Sequence, residues 1–132
     1  MPVEALDHVN IITADLDRAE AFYCGLLDLE SRPGPPPLTW ATGRWLHDMS
    51  GRAVLHLNAL AAHRHFDRPM DPGPTGALHH VALRCTGYAT TLERIAAGEL
   101  DHRTNQIEAI GLRQIFVHDP EGVLLELNFF GN

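Results

Sequence analysis

The chain has 132 residues, 45% of them hydrophobic, and its 17 acidic against 10 basic side chains give a formal net charge of −7. That length buries one core and leaves no room for a second full domain beside it. An acidic surface with scattered basic residues repels a phosphate backbone, and no apolar run approaches the ~20 residues of a bilayer span, so neither nucleic acid nor a membrane is an expected partner.

The start, "MPVEALDHV", has neither a basic n-region nor an apolar h-region, so the protein is expected in the cytoplasm. "ALDHVNII" alternates as a half-buried strand does. "TADLDRAEAFYCGLL" then shifts to helical period through Leu16, Ala19, Phe22, Tyr23, Leu26 and Leu27, with Thr13 or Asp15 available as N-cap. In "SRPGPPPL", Pro33, Pro35, Pro36 and Pro37 rule out a helix and demote any strand to an edge. "TWATGRWLHDMSGRAVLHLNAL" reads as two strands around a turn at "DMSG", with Val54, Leu55 and Leu57 as the apolar run and Gly51 in the turn. Residues 61–76, rich in Pro, Gly, His and charge, read as a linker.

The pattern then begins again. "LHHVALRC" is a strand, and "YATTLERIAAGEL" a helix through Tyr88, Leu92, Ile95 and Ala96, with Gly98 near its end. After a polar stretch, "GLRQIFVHDPEGVLLELNFF" gives two strong strands around the turn "DPEG". Cys24 and Cys85 lack metal or redox spacing and read as buried small hydrophobes. The offsets from His8 to His80, Gly51 to Gly122 and Asn58 to Asn128 are 72, 71 and 70 residues. The expected fold is therefore α+β: a single domain, 1–132, made of two βαβββ modules at about 1–60 and 77–132 joined by the linker.

One lone strand histidine is ordinarily structural, but "DHV" and "HHV" open two equivalent strands with His8 and His80. In the same register "VLHLN" falls on "LLELN", setting His56 opposite Glu126. Alternation puts His56 on a face with Val54 and Asn58, and Glu126 on a face with Leu124, Asn128 and Phe130. A carboxylate among such neighbours needs a partner, since an unpaired buried ion costs several kcal/mol; a metal cation offsets that cost, and an arginine or a rim position is the plainer alternative.

These stretches resemble the vicinal oxygen chelate superfamily, which includes glyoxalase I, methylmalonyl-CoA epimerase, extradiol dioxygenases and the fosfomycin and bleomycin resistance proteins. The resemblance covers almost the whole chain and rests on "DHVNIITADLDRAEAFYCGLLDLE", "HHVALRC" and "FVHDPEGVLLELNF". It implies paired modules around a metal-lined cavity, with His8, His80 and Glu126 at the positions that carry ligands in metal-bearing members. The fourth family position is Glu or Gln in many glyoxalases and epimerases; here it is His56, a departure that leaves ligand and acid–base roles both open.

On the same alternation Asn10 and Ile12 follow His8, and Ala82 and Arg84 follow His80. Asn10 and Arg84 are candidate substrate-binding residues. Arg84 suits a bidentate pair with a substrate carboxylate, its alternative being a strand-end arginine in solvent. Trp40 and Trp45 are expected to pack in the core, with lining an aromatic pocket as the alternative for each. His79 is expected on the opposite strand face, His63 and His65 solvated in the linker, and His47, His102 and His118 structural.

The resemblance implies a small-molecule substrate, a homodimer and one divalent metal ion, with Zn, Ni, Co, Mn and Fe all compatible with a His and Glu set. Three functions are in play. One is a glyoxalase- or epimerase-type enzyme that chelates vicinal oxygens and stabilises an enediolate, with Glu126 or His56 moving the proton. A second is an extradiol-type Fe(II) ring-cleaving dioxygenase built on the triad His8, His80 and Glu126. The third is a metal-free binding or resistance protein, against which the intact donor set speaks.

Overall fold

A computed structural model describes residues 2–62 and 73–131. Most of the expected linker, including His63 and His65, therefore lies outside the described residues. The chain divides into two compact units, Met1–Pro72 and Gly73–Asn132.

The first unit runs β1 (Val9–Thr13), α1 (Leu16–Leu27), β2 (Glu30–Pro33), β3 (Gly43–His47) and β4 (Ala53–Ala59). Its four strands form one sheet in the order β1-β4-β3-β2. β1 and β4 are parallel; the other neighbours are antiparallel. The side chain of Asp15 caps α1 by accepting from the Arg18 N–H at 3.0 Å, which settles the choice between Thr13 and Asp15. β2 is an edge strand that ends at Pro33, as a residue without an N–H requires. Leu16, Ala19, Tyr23 and Leu26 of α1 are buried together with Ile11, Leu46, Leu55 and Leu57 of the sheet. Each fully buried leucine of this set stabilises the unit by about 1.5–3 kcal/mol.

The second unit repeats the plan with β5 (Val81–Cys85), α2 (Tyr88–Ala97), β6 (His102–Ile107), a 3-10 turn (Glu108–Ile110), β7 (Leu112–His118) and β8 (Leu124–Phe130). Its sheet order is β5-β8-β7-β6, with β5 and β8 parallel. Val81, Ile115, Val117, Leu125, Leu127 and Phe129 are buried on one side. The polar stretch before "GLRQIF" is itself a strand, β6, in which all six residues are exposed. Cys24 and Cys85 are half-buried, not buried, and burial raises both thiols, Cys85 to about 11.

The two hairpin turns are built alike. Asp48 Oδ1 accepts from the N–H groups of Ser50 and Arg52 at 2.9 and 3.1 Å, and Asp119 Oδ1 accepts from those of Glu121 and Val123, both at 2.8 Å. Each turn then needs a left-handed residue, and Gly51 and Gly122 both sit at φ +88°. A Cβ on Gly51 would meet nothing within 4 Å, and one on Gly122 would make only ordinary contact with the Gly73 backbone at 3.5 Å. Gly51→Ala and Gly122→Ala are therefore expected to cost the same, about 1–2 kcal/mol each, from backbone conformation alone. Urea unfolding followed by circular dichroism checks this; a loss at one position only would break the equivalence of the turns.

Candidate metal centre

In each unit the parallel pairing of the first and last strands sets the chemistry. In β4, Leu55 and Leu57 point into the core, so Val54, His56 and Asn58 face the other, open side of the sheet. Asn10, exposed on β1, is the register partner of His56. His8 lies one residue before β1, and its ring stacks on that of His56 with centroids 3.7 Å apart and planes 13° apart.

From β3, Trp45 is the other register partner of His56, and its ring stacks there at 4.1 Å and 8°. Because β1 and β3 flank β4, the imidazole of His56 is sandwiched between His8 and Trp45. Desolvation in this sandwich, followed by repulsion from His8, lowers the pKa of His56 from the ordinary 6.5 to about 4. His56 is thus a neutral imidazole near pH 7. Asp7 Oδ1 lies 2.6 Å from Nδ1 of His8, and this hydrogen bond draws the exposed Asp7 carboxyl below its usual range. Such a carboxylate fixes the tautomer and leaves Nε2 as the donor.

In the second unit His80 stands just before β5, and its Nε2 faces Glu126 Oε1 of β8 at 3.7 Å. Here too the other ring nitrogen is engaged, Nδ1 of His80 lying 2.9 Å from Nδ1 of His79. His79 does not simply point away from the site as its place in the sequence suggests; it touches His80 edge to face. The Glu126 side chain is 16% exposed, and its Oε2 accepts from Asn128 Nδ2 at 2.9 Å. Ala82 is the register partner of Glu126, and Arg84 that of Asn128. Exposed Arg84 lays its guanidinium over the Phe130 ring, 4.3 Å from the centroid, with no carboxylate partner among the described residues.

His8 and His56 thus meet in one unit, and His80 and Glu126 in the other. Among the described residues, neither unit alone gathers three His, Cys, Asp or Glu side chains into a metal-sized group. The donor chemistry of each pair nevertheless fits a divalent ion. Metal bonds of about 2.0–2.2 Å hold neighbouring ligand atoms roughly 3–3.5 Å apart, close to the His80–Glu126 separation. Each first-strand histidine also has Nδ1 occupied and Nε2 left over.

Asp7, Trp45 and Asn128 escape a reading of the sequence for donors, although "DH" already places a carboxylate beside a histidine. Trp45 is half-buried against His56 and Trp40 is 46% exposed under the Arg44 guanidinium, so neither packs in the core. Arg44 itself is buried between Asp17 and Glu20 and donates to the Trp40 carbonyl. Ring stacking and the buried cation decide both indole positions, and neither is visible in one-dimensional hydrophobicity.

The family model described as Glyoxalase/Bleomycin resistance protein/Dioxygenase superfamily matches residues 5–127. No curated protein matches the chain. Among solved structures, a glyoxalase/dioxygenase from Nostoc punctiforme aligns with a TM-score of 0.74 at 17% identity, over 98% of this chain and 92% of that one. A lactoylglutathione lyase from Agrobacterium tumefaciens aligns at 0.66 and 21%, over 98% and 96%. The fosfomycin resistance protein FosX from Listeria monocytogenes aligns at 0.66 and 16%, also over 98% and 96%. At these identities the likeness is one of fold.

The state of His56 has a measurable consequence for chelator-treated protein. Since its folded pKa lies below the unfolded value, the unfolded chain takes up the proton first as pH falls. The stabilising contribution is complete above about 6.5 and is lost progressively down to about 4. His56→Gln, which cannot titrate, should flatten the melting temperature across that window; an unchanged slope would show that His56 is not held neutral.

Proposed function

The chain belongs to the glyoxalase/bleomycin resistance protein/dioxygenase superfamily, and from that premise we propose that it is a divalent-metal-dependent enzyme of the glyoxalase or epimerase kind. Its substrate in this reading is a small molecule with two neighbouring oxygens. The observation that carries the reading is the pairing of donors at repeat-equivalent places, His8 against His56 and His80 against Glu126. Two donors leave an ion short of protein ligands, and a catalytic site takes three or more while keeping positions open for substrate. We therefore read His8, His56, His80 and Glu126 as the ligand set for a divalent ion.

A cation bound there supplies Lewis-acid polarisation of the two substrate oxygens. The chain's own groups do the rest. Glu126 Oε1, or the unprotonated ring nitrogen of His56, takes the proton from the carbon beside the substrate carbonyl. The neutrality that the sandwich imposes on His56 leaves that nitrogen's lone pair unprotonated near pH 7. Arg84, already oriented by Phe130, offers two parallel N–H groups to a substrate carboxylate. Asn10, beside His56, offers an amide to a substrate oxygen.

One observation favours a second reading. The His56 and His8 rings lie nearly parallel, their planes 13° apart, so their in-plane lone pairs do not converge on one ion, which suits His56 as a group standing beside the metal as acid or base. His8, His80 and Glu126 would then form the two-histidine, one-carboxylate triad of an extradiol-type Fe(II) dioxygenase.

Protein purified without an affinity tag is expected to carry about one divalent ion per four-donor set, and Glu126→Ala to lose it; full occupancy in that variant would remove the core of the reading. His56→Ala separates the two chemistries. A fall in metal affinity of about 10-fold or more marks a ligand. Wild-type affinity with a rate loss of roughly 10²- to 10⁴-fold marks an acid or base and promotes the dioxygenase, which an oxygen-consumption screen against catechols then tests. The assembly is expected to be a homodimer, and a monomer mass by light scattering would count against it.

A further inference from the structure

The open face of the second unit holds a row of amides whose purpose the donor set alone does not explain. Asn105 of β6, Gln114 of β7 and Asn128 of β8 stand opposite one another in register across three strands. Asn105 Nδ2 donates to Gln114 Oε1 at 2.8 Å, Gln114 Nε2 donates to Asn128 Oδ1 at 3.1 Å, and Asn128 Nδ2 donates to Glu126 Oε2 at 2.9 Å. The direction follows from its last member. An ionised carboxylate only accepts, so Asn128 must turn its NH₂ toward Glu126 and its oxygen toward Gln114, and the same logic repeats outward to Asn105.

Gln114 is 7% exposed. A buried amide without partners costs about 1–3 kcal/mol, and both ends of this one are satisfied within the row. Among its described residues the first unit has no such row. At the position equivalent to Gln114 it has Gly43, the register partner of Asn58 as Gln114 is of Asn128.

We infer that Asn128, Gln114 and Asn105 are positioning residues for Glu126: a head-to-tail amide relay that fixes the carboxylate through Oε2 and leaves Oε1 directed at His80. The aligned dipoles reinforce one another, since each amide that donates becomes a better acceptor for the next. The metal-affinity arm below rests on the metal reading of Glu126; the relay itself does not.

Two measurements keep those apart. In chelator-treated, ¹⁵N-labelled protein, Glu126→Gln replaces the terminal anion by an amide, and the side-chain NH₂ resonances of Asn128, Gln114 and Asn105 should all shift. Movement confined to Asn128 would overturn the relay, whatever the metal does. In a Co²⁺ titration, Gln114→Leu should weaken binding about 10-fold, as losses behind a ligand do. Asn105→Ala, on the exposed edge strand where folding is not at stake, should weaken it by a smaller factor in the same direction. Wild-type Co²⁺ affinity in both variants would overturn the positioning role, whereas absence of Co²⁺ binding in the unmodified protein would instead refute the metal reading and leave the resonance shifts to decide the relay.

Discussion

The structure depends on one constraint, the parallel pairing of the first and last strands of each unit, β1 with β4 and β5 with β8. A parallel pair cannot be closed by a tight turn and needs a long crossover. In each unit the helix and the two intervening strands supply it, and the helix contributes buried side chains of its own. Residues at opposite ends of a module thereby become neighbours. His8 reaches His56 and His80 reaches Glu126 because the backbone ladder leaves them no other register.

From that shared frame the two units hold their last-strand donor by different means. His56 is flat, neutral and polarisable, so rings on both sides hold it without charge. Glu126 has an anion to satisfy and no ring to stack, so it is held by hydrogen bonds that begin at Asn128. Cross-strand partners differ accordingly: Trp45 lies opposite His56, and Phe116 opposite Glu126. The duplication is one of backbone, down to the aspartate and glycine of each hairpin turn, and the side chains on the open faces have diverged around it.

Much of this was legible in the sequence, because the apolar runs of β4, β7 and β8 alternate cleanly and the glycines of the turns sit at nearly constant offset. β6 was not, since "HRTNQI" exposes every residue and so carries no alternation to find; pairing to β7 makes it a strand. The equivalence of His8 with His80 and of His56 with Glu126 followed from register arithmetic, whereas their adjacency within each unit comes from the parallel strand pairing. Asp7, Trp45 and the amide row did not, because stacking and side-chain hydrogen bonds depend on cross-strand neighbours whose identity only the ladder reveals.

The pleat that separates donors from core also determines where this sequence is free to drift. Leu55, Leu57, Leu125 and Leu127 fill one side of their strands, and a change of volume there is felt throughout the packing. Asn10, Ala82 and Arg84 occupy the opposite parity and are exposed. Substitutions at those positions change the chemistry that the open face presents while leaving the volume of the interior untouched. A lineage built on this frame can alter that face by single steps, none of which passes through an unfolded ancestor.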